Sequence, residues 1–188
     1  MNLGIVIMTV SFVWFGSEVI LARLKHSLPS DERFDKSSLR VLWITITASV
    51  TVGVFVGTQH IGSVGWGSSV FPIVGIVIIV VGLILRWVAI LSLKRQFTVD
   101  VAITKDHRIV KEDIYRFVRH PAYAGSLLSF FGLGFCFANV VCLVVIFVPI
   151  CAAFLFRIRV EERALSATFG VEYDRYARST KRLIPGVF

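Results

Sequence analysis

Residues 122–156 read AYAGSLLSFFGLGFCFANVVCLVVIFVPICAAFLF, an apolar run without one charged side chain. A helix needs about 20 such residues to cross the hydrocarbon core of a bilayer, so this run is too long for one crossing. Ala138-Asn139, near its middle, is the one plausible place to turn. The run therefore predicts a helical hairpin, with a short helix over Ala122–Phe137 and a second from Val140 onward. Pro149 is a candidate kink in the second. Gly125, Gly132 and Gly134 in the first would let helix backbones approach closely.

Three further apolar stretches lie upstream: Leu3–Leu21, interrupted by Glu18; Val41–Ile61; and Phe71–Leu93, which opens on Pro72 and contains Arg86. The first is no signal peptide, since no basic residue precedes it and no small-residue cleavage site comes after it. Composition agrees with a membrane protein. The chain is 56% hydrophobic and 17% charged, against roughly half apolar and a quarter charged in soluble domains, and its mean hydropathy is +0.80. A soluble enzyme is excluded. The formal charge of +8 would suggest nucleic acid in a soluble protein, but here Lys and Arg follow topology. Apart from Arg86, all of them fall in segments 22–40, 94–121 and 157–188, and none in 62–70 or 138–139. The positive-inside rule then places the N-terminus outside and every basic segment, with the C-terminus, in the cytosol. The expectation is an all-α, multi-pass integral membrane protein of about five spans. It forms a single domain over 1–188, with N-terminal spans in 1–70 and a core in 71–188. The core carries cytosolic segments 94–121 and 157–188, the latter helical. Cys136, Cys142 and Cys151 lie in apolar stretches and suggest neither a disulfide framework nor a zinc site.

Two clusters could carry chemistry. Arg119-His120-Pro121-Ala122-Tyr123 opens the fourth helix. Pro121 pushes His120 out of helical geometry and suits the first helical position, leaving free amides for a carboxylate or phosphate. The plainer reading is a helix start at the membrane surface, with Arg119 on lipid phosphate and Tyr123 in the aromatic belt. The second cluster, Arg157 to Arg163, holds Arg157 and Glu161 at i,i+4 on one helix face. A solvated, salt-bridged helix end is its plainer reading. Arg157 comes directly after the last apolar residue, however, and charge at that depth usually faces a cavity or a partner. Arg86 either snorkels to the inner surface or serves a buried site. Glu18, near the end of its span, is expected to reach headgroups. His26 and His60 suggest no partner, and no two of His107, His120, Glu161 and Glu162 have the spacing of metal ligands.

The order of these pieces resembles the isoprenylcysteine carboxyl methyltransferase family and its phospholipid methyltransferase relatives. It runs His107-Arg108-Ile109-Val110, Tyr115, Arg119-His120-Pro121-Ala122-Tyr123-Ala124-Gly125, then Arg157 to Glu162. It closes with Leu165, Phe169-Gly170-Val171-Glu172-Tyr173, Tyr176 and Arg182 to Pro185. The likeness covers roughly residues 80–188, and it departs at Asp113-Ile114, where the family has a glycine, and at Asp100, where eukaryotic members have a glutamine. It implies a membrane enzyme using S-adenosylmethionine bound on the cytosolic side. His107, Arg108, Ile109, Val110, Tyr115, His120, Pro121, Ala122 and Tyr123 would line the cofactor pocket, and Glu161 would face the cofactor's amino-acid end. Arg157 would contact a lipophilic or prenylated acceptor drawn from the membrane. Arg157 and Glu161 are thus the candidate catalytic pair, with segment 94–121 as a lid. No metal and no nucleic acid partner is expected, and the oligomeric state stays open. A phospholipid amine or thiol acceptor, an NADPH-dependent sterol-type reductase, and a non-enzymatic membrane scaffold are the rival readings.

Overall fold

The computed structural model describes residues 3–24, 32–35, 37–59, 62–64, 70–93, 101–103 and 108–187. Helices α1 (Leu3–Leu24), α2 (Ser37–Thr58), α3 (Val70–Leu93), α4 (Pro121–Cys136), α5 (Val140–Phe169) and α6 (Val171–Ser179) account for nearly all of it. Helices α2, α3 and α5 are long and apolar enough to cross a membrane; the apolar parts of α1 and α4 are shorter, at Gly4–Glu18 and Pro121–Cys136. This is an all-helical membrane protein with one small β element. Strands β1 (Glu32–Asp35) and β2 (Val101–Ile103) pair antiparallel, joining two connections that the hydropathy pattern leaves as separate basic segments.

The hairpin turns where expected. Ala138 adopts φ 48°, and the Asn139 side chain accepts from the Cys142 amide at 2.9 Å, satisfying a donor that the start of α5 would otherwise leave unpaired. Residues 62–64 pack onto this turn: Val64 N donates to Ala138 O (2.8 Å) and Val140 N to Gly62 O (3.1 Å). Two connections that carry no basic residue thus sit together. The basic segments are joined to one another likewise, through β1–β2 and through Arg119 N to Lys181 O (2.8 Å). Pro149 lies inside α5, which stays one helix and runs on past Arg157 to Phe169.

Helices α3 and α4 touch backbone to backbone. A Cβ added at Gly82 would lie 2.6 Å from Gly125 O, and one at Gly125 would lie 2.6 Å from Gly82 O. One heptad along, Gly75 and Gly132 repeat the arrangement, each Cβ position 2.7 Å from the other's carbonyl. Between the two pairs Ser129 Oγ donates to Ile79 O at 3.3 Å. Lipid offers no hydrophobic drive to bring helices together, so close approach and buried hydrogen bonds must supply the attraction. Gly134 serves the other side of α4, where a Cβ would meet Leu143 Cα of α5 at 2.9 Å.

Helix α1 lays one stripe on this pair. Trp14 meets Phe130 with ring centroids 4.6 Å apart, and Leu21 packs with Ala89, Ile90, Tyr115 and Ala122. Between them Glu18 reaches Arg86 of α3, with Oε2 2.5 Å from Nη2. The expected headgroup contact of Glu18 is therefore wrong. A buried guanidinium one helix away offers a carboxylate more than an interfacial headgroup does, because unpaired charge at this depth is costly.

Gly125→Ala should lower stability in detergent by about 2–3 kcal/mol, since backbone on both sides blocks the new methyl. Gly16→Ala, with nothing within 4 Å of its Cβ position, should be neutral. Thermal melting of the two variants beside the parent measures this.

Candidate functional site

The site forms where the first turn of α4 meets the middle of α5. Pro121 occupies the first helical position and His120 the cap, so their neighbour Tyr123 is held against α5. Arg157 Nε donates to Tyr123 Oη (3.1 Å), and that hydroxyl donates to Glu161 Oε2 (2.7 Å). The two charged residues that share a face of α5 are thus joined through a tyrosine of α4. Arg157 is 2% exposed, and its Nη1 donates to Ser38 Oγ of α2 at 3.0 Å. The Glu161 side chain keeps 30% of its surface open. The His120 ring stacks on Tyr123 at 5.6 Å and 7°, with Nδ1 3.9 Å from Glu161 Oε2.

Behind this row lies a structural clamp. Glu162 accepts from Arg119 Nε (2.9 Å) and Arg182 Nε (2.9 Å), and its Oε1 is 3.5 Å from His120 Nε2. Arg119 Nη1 also donates to Ala177 O at 2.8 Å and to Thr180 O. His120 N donates to Arg182 O at 3.0 Å. Residues 177–182 are therefore fastened across the start of α4, and Arg119 is spent on this bond network rather than on lipid phosphate. Tyr123 likewise serves the Arg157–Glu161 row and not an aromatic belt.

Tyr115, in the 3-10 turn Asp113–Arg116, is buried and donates to Ala89 O at 3.3 Å. Tyr176 of α6 donates to Tyr115 O at 2.7 Å. Burial pushes both phenols up, Tyr176 to about 12 and Tyr115 further, so both are neutral donors at physiological pH. Ile109 and Val110 are half-buried and Arg108 is exposed; Val110 packs on the Tyr115–Ala122 cluster. Pro121 and Ala122 are buried at the helix start. His107 lies outside the described residues, as do His26, His60, Asp100 and residues 94–100 and 104–107 of the proposed lid.

On the membrane side the row opens into a cavity of about 370 Å³ between α1, α2, α4 and α5. Trp14, Leu42, Trp43, Phe130, Leu133 and Phe154 make it apolar, and Arg86, Tyr123 and Arg157 stand on its wall. Sequence reasoning brought Arg157, Glu161, His120 and Tyr123 to one place. It missed Ser38, whose setting in Lys36-Ser37-Ser38-Leu39 carries no signal, and the Glu18–Arg86 pair. Opposite charges inside two apolar stretches are the one signal that pair carries, and they do not say that the two meet.

A sequence profile of the isoprenylcysteine carboxyl methyltransferase (ICMT) family matches residues 74–167, half of the chain. The chain belongs to this family. Protein-S-isoprenylcysteine O-methyltransferase A of Arabidopsis thaliana is 36% identical over 115 residues, 60% of this chain and 58% of that protein. The Saccharomyces cerevisiae protein-S-isoprenylcysteine O-methyltransferase is 30% identical over 60% of this chain and 48% of its own length. The chain thus spans about half the length of these ICMT relatives. A solved structure of the eukaryotic intramembrane Ras methyltransferase ICMT aligns with TM-score 0.57 and 25% identity, over 77% of this chain and 52% of that one. The ICMT match takes in most of α3, all of α4 and nearly all of α5; Glu18, Ser38 and α6 lie outside it.

Tyr176→Phe leaves Tyr115 O without its donor and should cost about 1–3 kcal/mol. Unfolded Tyr176 titrates near its ordinary value of 10.0 and the folded residue near 12. Between these values the folded state holds the extra proton, so stability falls as pH rises. Melting temperature scanned from pH 9 to 12 should fall less steeply in Tyr176→Phe than in the parent.

Proposed function

We propose that this protein is a membrane methyltransferase that moves a methyl group from S-adenosylmethionine to the carboxylate of a lipophilic, isoprenylcysteine-like acceptor. The N-terminus lies outside and the active site faces the cytosol, as the placement of Lys and Arg favours. The observation that carries the reading is the Arg157–Tyr123–Glu161 row, with a partly open carboxylate at one end and a guanidinium on an apolar cavity wall at the other.

The donor set fits the cofactor. A half-open carboxylate suits an ammonium, and the stacked His120 and Tyr123 rings suit a flat base or a sulfonium. S-adenosylmethionine, when bound, supplies a methyl carbon activated by positive sulfur, so the chain needs to align and desolvate rather than to form a covalent intermediate. Glu161 holds the cofactor's amino-acid end, with Tyr115, Ala122 and Val110 forming the inner wall. Arg157 orients the acceptor carboxylate through its fork. Its Nε and Nη1 are already committed to Tyr123 and Ser38, which fixes the plane of the guanidinium. That restraint matters, because an arginine that neutralised the acceptor fully would stabilise the ground state against the reaction. The apolar cavity receives the lipid tail and keeps water from the carboxylate, and positioning supplies most of the acceleration. An anionic acceptor suits Arg157 better than an amine, which would first have to lose a proton.

Calorimetry with S-adenosylhomocysteine and methyl transfer to S-farnesyl-N-acetylcysteine test the roles. Glu161→Gln should weaken S-adenosylhomocysteine binding by roughly 10- to 100-fold, the worth of a charge-assisted hydrogen bond. Ser38→Ala should leave that affinity unchanged and raise the acceptor KM several-fold. Arg157→Ala should also leave it unchanged while abolishing transfer. Full cofactor affinity in folded Glu161→Gln, or binding of NADPH in place of S-adenosylhomocysteine, would overturn the proposal.

A further inference from the structure

Two guanidinium groups stand on the cavity wall, and they are presented differently. Arg157 belongs to α5 and to the Tyr123–Glu161 row. Arg86 belongs to α3 and has both of its edges engaged. Its Nη1 donates to Ser126 Oγ (2.8 Å) and to Ala122 O (3.3 Å). Its other edge grips Glu18, with Nη2 2.5 Å from Oε2 and Nε 2.5 Å from Oε1. Nη2 donates to Oε2, while Nε and Oε1 lie at ion-pair distance without a hydrogen bond between them; the carboxylate thus covers this edge of the guanidinium by charge and by one hydrogen bond. Side-chain exposure is 11% for Arg86 and 17% for Glu18, and both line the cavity.

A buried ion pair is poor value as a mere fastener, because well-packed apolar side chains of similar volume usually serve as well or better. Helix α1 already has such fasteners above and below Glu18, in Trp14 against Phe130 and Leu21 against Ala89 and Tyr115. Ionisable groups at membrane depth are expensive and generally functional. The pair faces the same space as the proposed acceptor, and one partner is itself a carboxylate.

We propose that Glu18 is a specificity-determining residue: an internal carboxylate that caps Arg86, so that an acceptor carboxylate docks on Arg157 and not on the α3 side of the cavity. The proposal rests on the acceptor reading of this cavity. The competitor it excludes is the plain fatty acid, which offers a carboxylate on an apolar tail and partitions into membranes. An open guanidinium in an apolar cavity would bind such molecules, and filling that site from within is discrimination by an element set against the wrong ligand.

Laurate is the probe, titrated calorimetrically into detergent-purified protein. Glu18→Gln should bind laurate about tenfold or more tightly than the parent, and laurate should become a competitor of the farnesylated acceptor. Glu18→Asp keeps the buried charges balanced and so protects the fold; with one methylene less it loosens the ion pair, and a smaller gain in the same direction is expected. The double variant Glu18→Gln/Arg86→Met should return to the parent's affinity. Unchanged laurate affinity in both single variants, at parental melting temperature, overturns the proposal, as does a gain that survives loss of Arg86. Laurate binding needs no methyl transfer. A parent that fails to bind S-adenosylhomocysteine would defeat the methyltransferase reading and leave the Glu18 result to stand or fall by itself.

Discussion

The backbone contact between α3 and α4 is the constraint on which the remaining geometry depends. With Gly82 against Gly125 and Gly75 against Gly132, the two helices sit closer than side chains elsewhere would permit. The same contact sets the site, since the Cβ position of Gly125 is also 2.6 Å from Arg86 N. Arg86 is thereby brought under the first turn of α4, where Ala122 O and Ser126 Oγ accept its hydrogen bonds. That turn carries His120 and Tyr123, and its position relative to α5 decides whether one hydroxyl can serve both Arg157 and Glu161.

The two faces of the row differ in character because of what surrounds them. On one side the tail residues Ala177–Arg182 are held by Arg119 and Glu162, so a polar framework of hydrogen bonds gives shape to the open end at Glu161. On the other side the wall is aromatic and aliphatic, and Arg157 is the charge that marks the boundary. Glu162 is the neighbour of Glu161 in sequence, yet it points into the clamp. Helical geometry turns adjacent residues by about 100°, which lets one acidic dipeptide place one carboxylate in the clamp and the other on Tyr123.

Much of this was legible in the chain. Hydropathy gave the hairpin and its turn, because Asn139 is the one strongly polar side chain near the middle of a long apolar run, and that side chain caps the start of α5. The i,i+4 spacing of Arg157 and Glu161 gave their shared face, and Pro121 gave the start of α4. Partners far apart in sequence were not legible. Ser38 meets Arg157 only because α2 packs on α5, and Glu18 meets Arg86 only because α1 lies on α3; no local pattern encodes either meeting. The β1–β2 pairing escaped for the same reason, since strands of three and four residues have too little alternation to stand out from a polar connection.

The hydrogen bond from Arg157 to Ser38 crosses the boundary of the family match. Arg157 lies within the stretch that matches the ICMT family, and Ser38 lies upstream of it. Glu18 approaches Arg86 across the same line. Arg86 and Arg157 are therefore each bonded to a residue outside the matched stretch. The surroundings of both guanidinium groups can thus change through α1 and α2 alone, while the Tyr123–Glu161 contact between α4 and α5 stays in place.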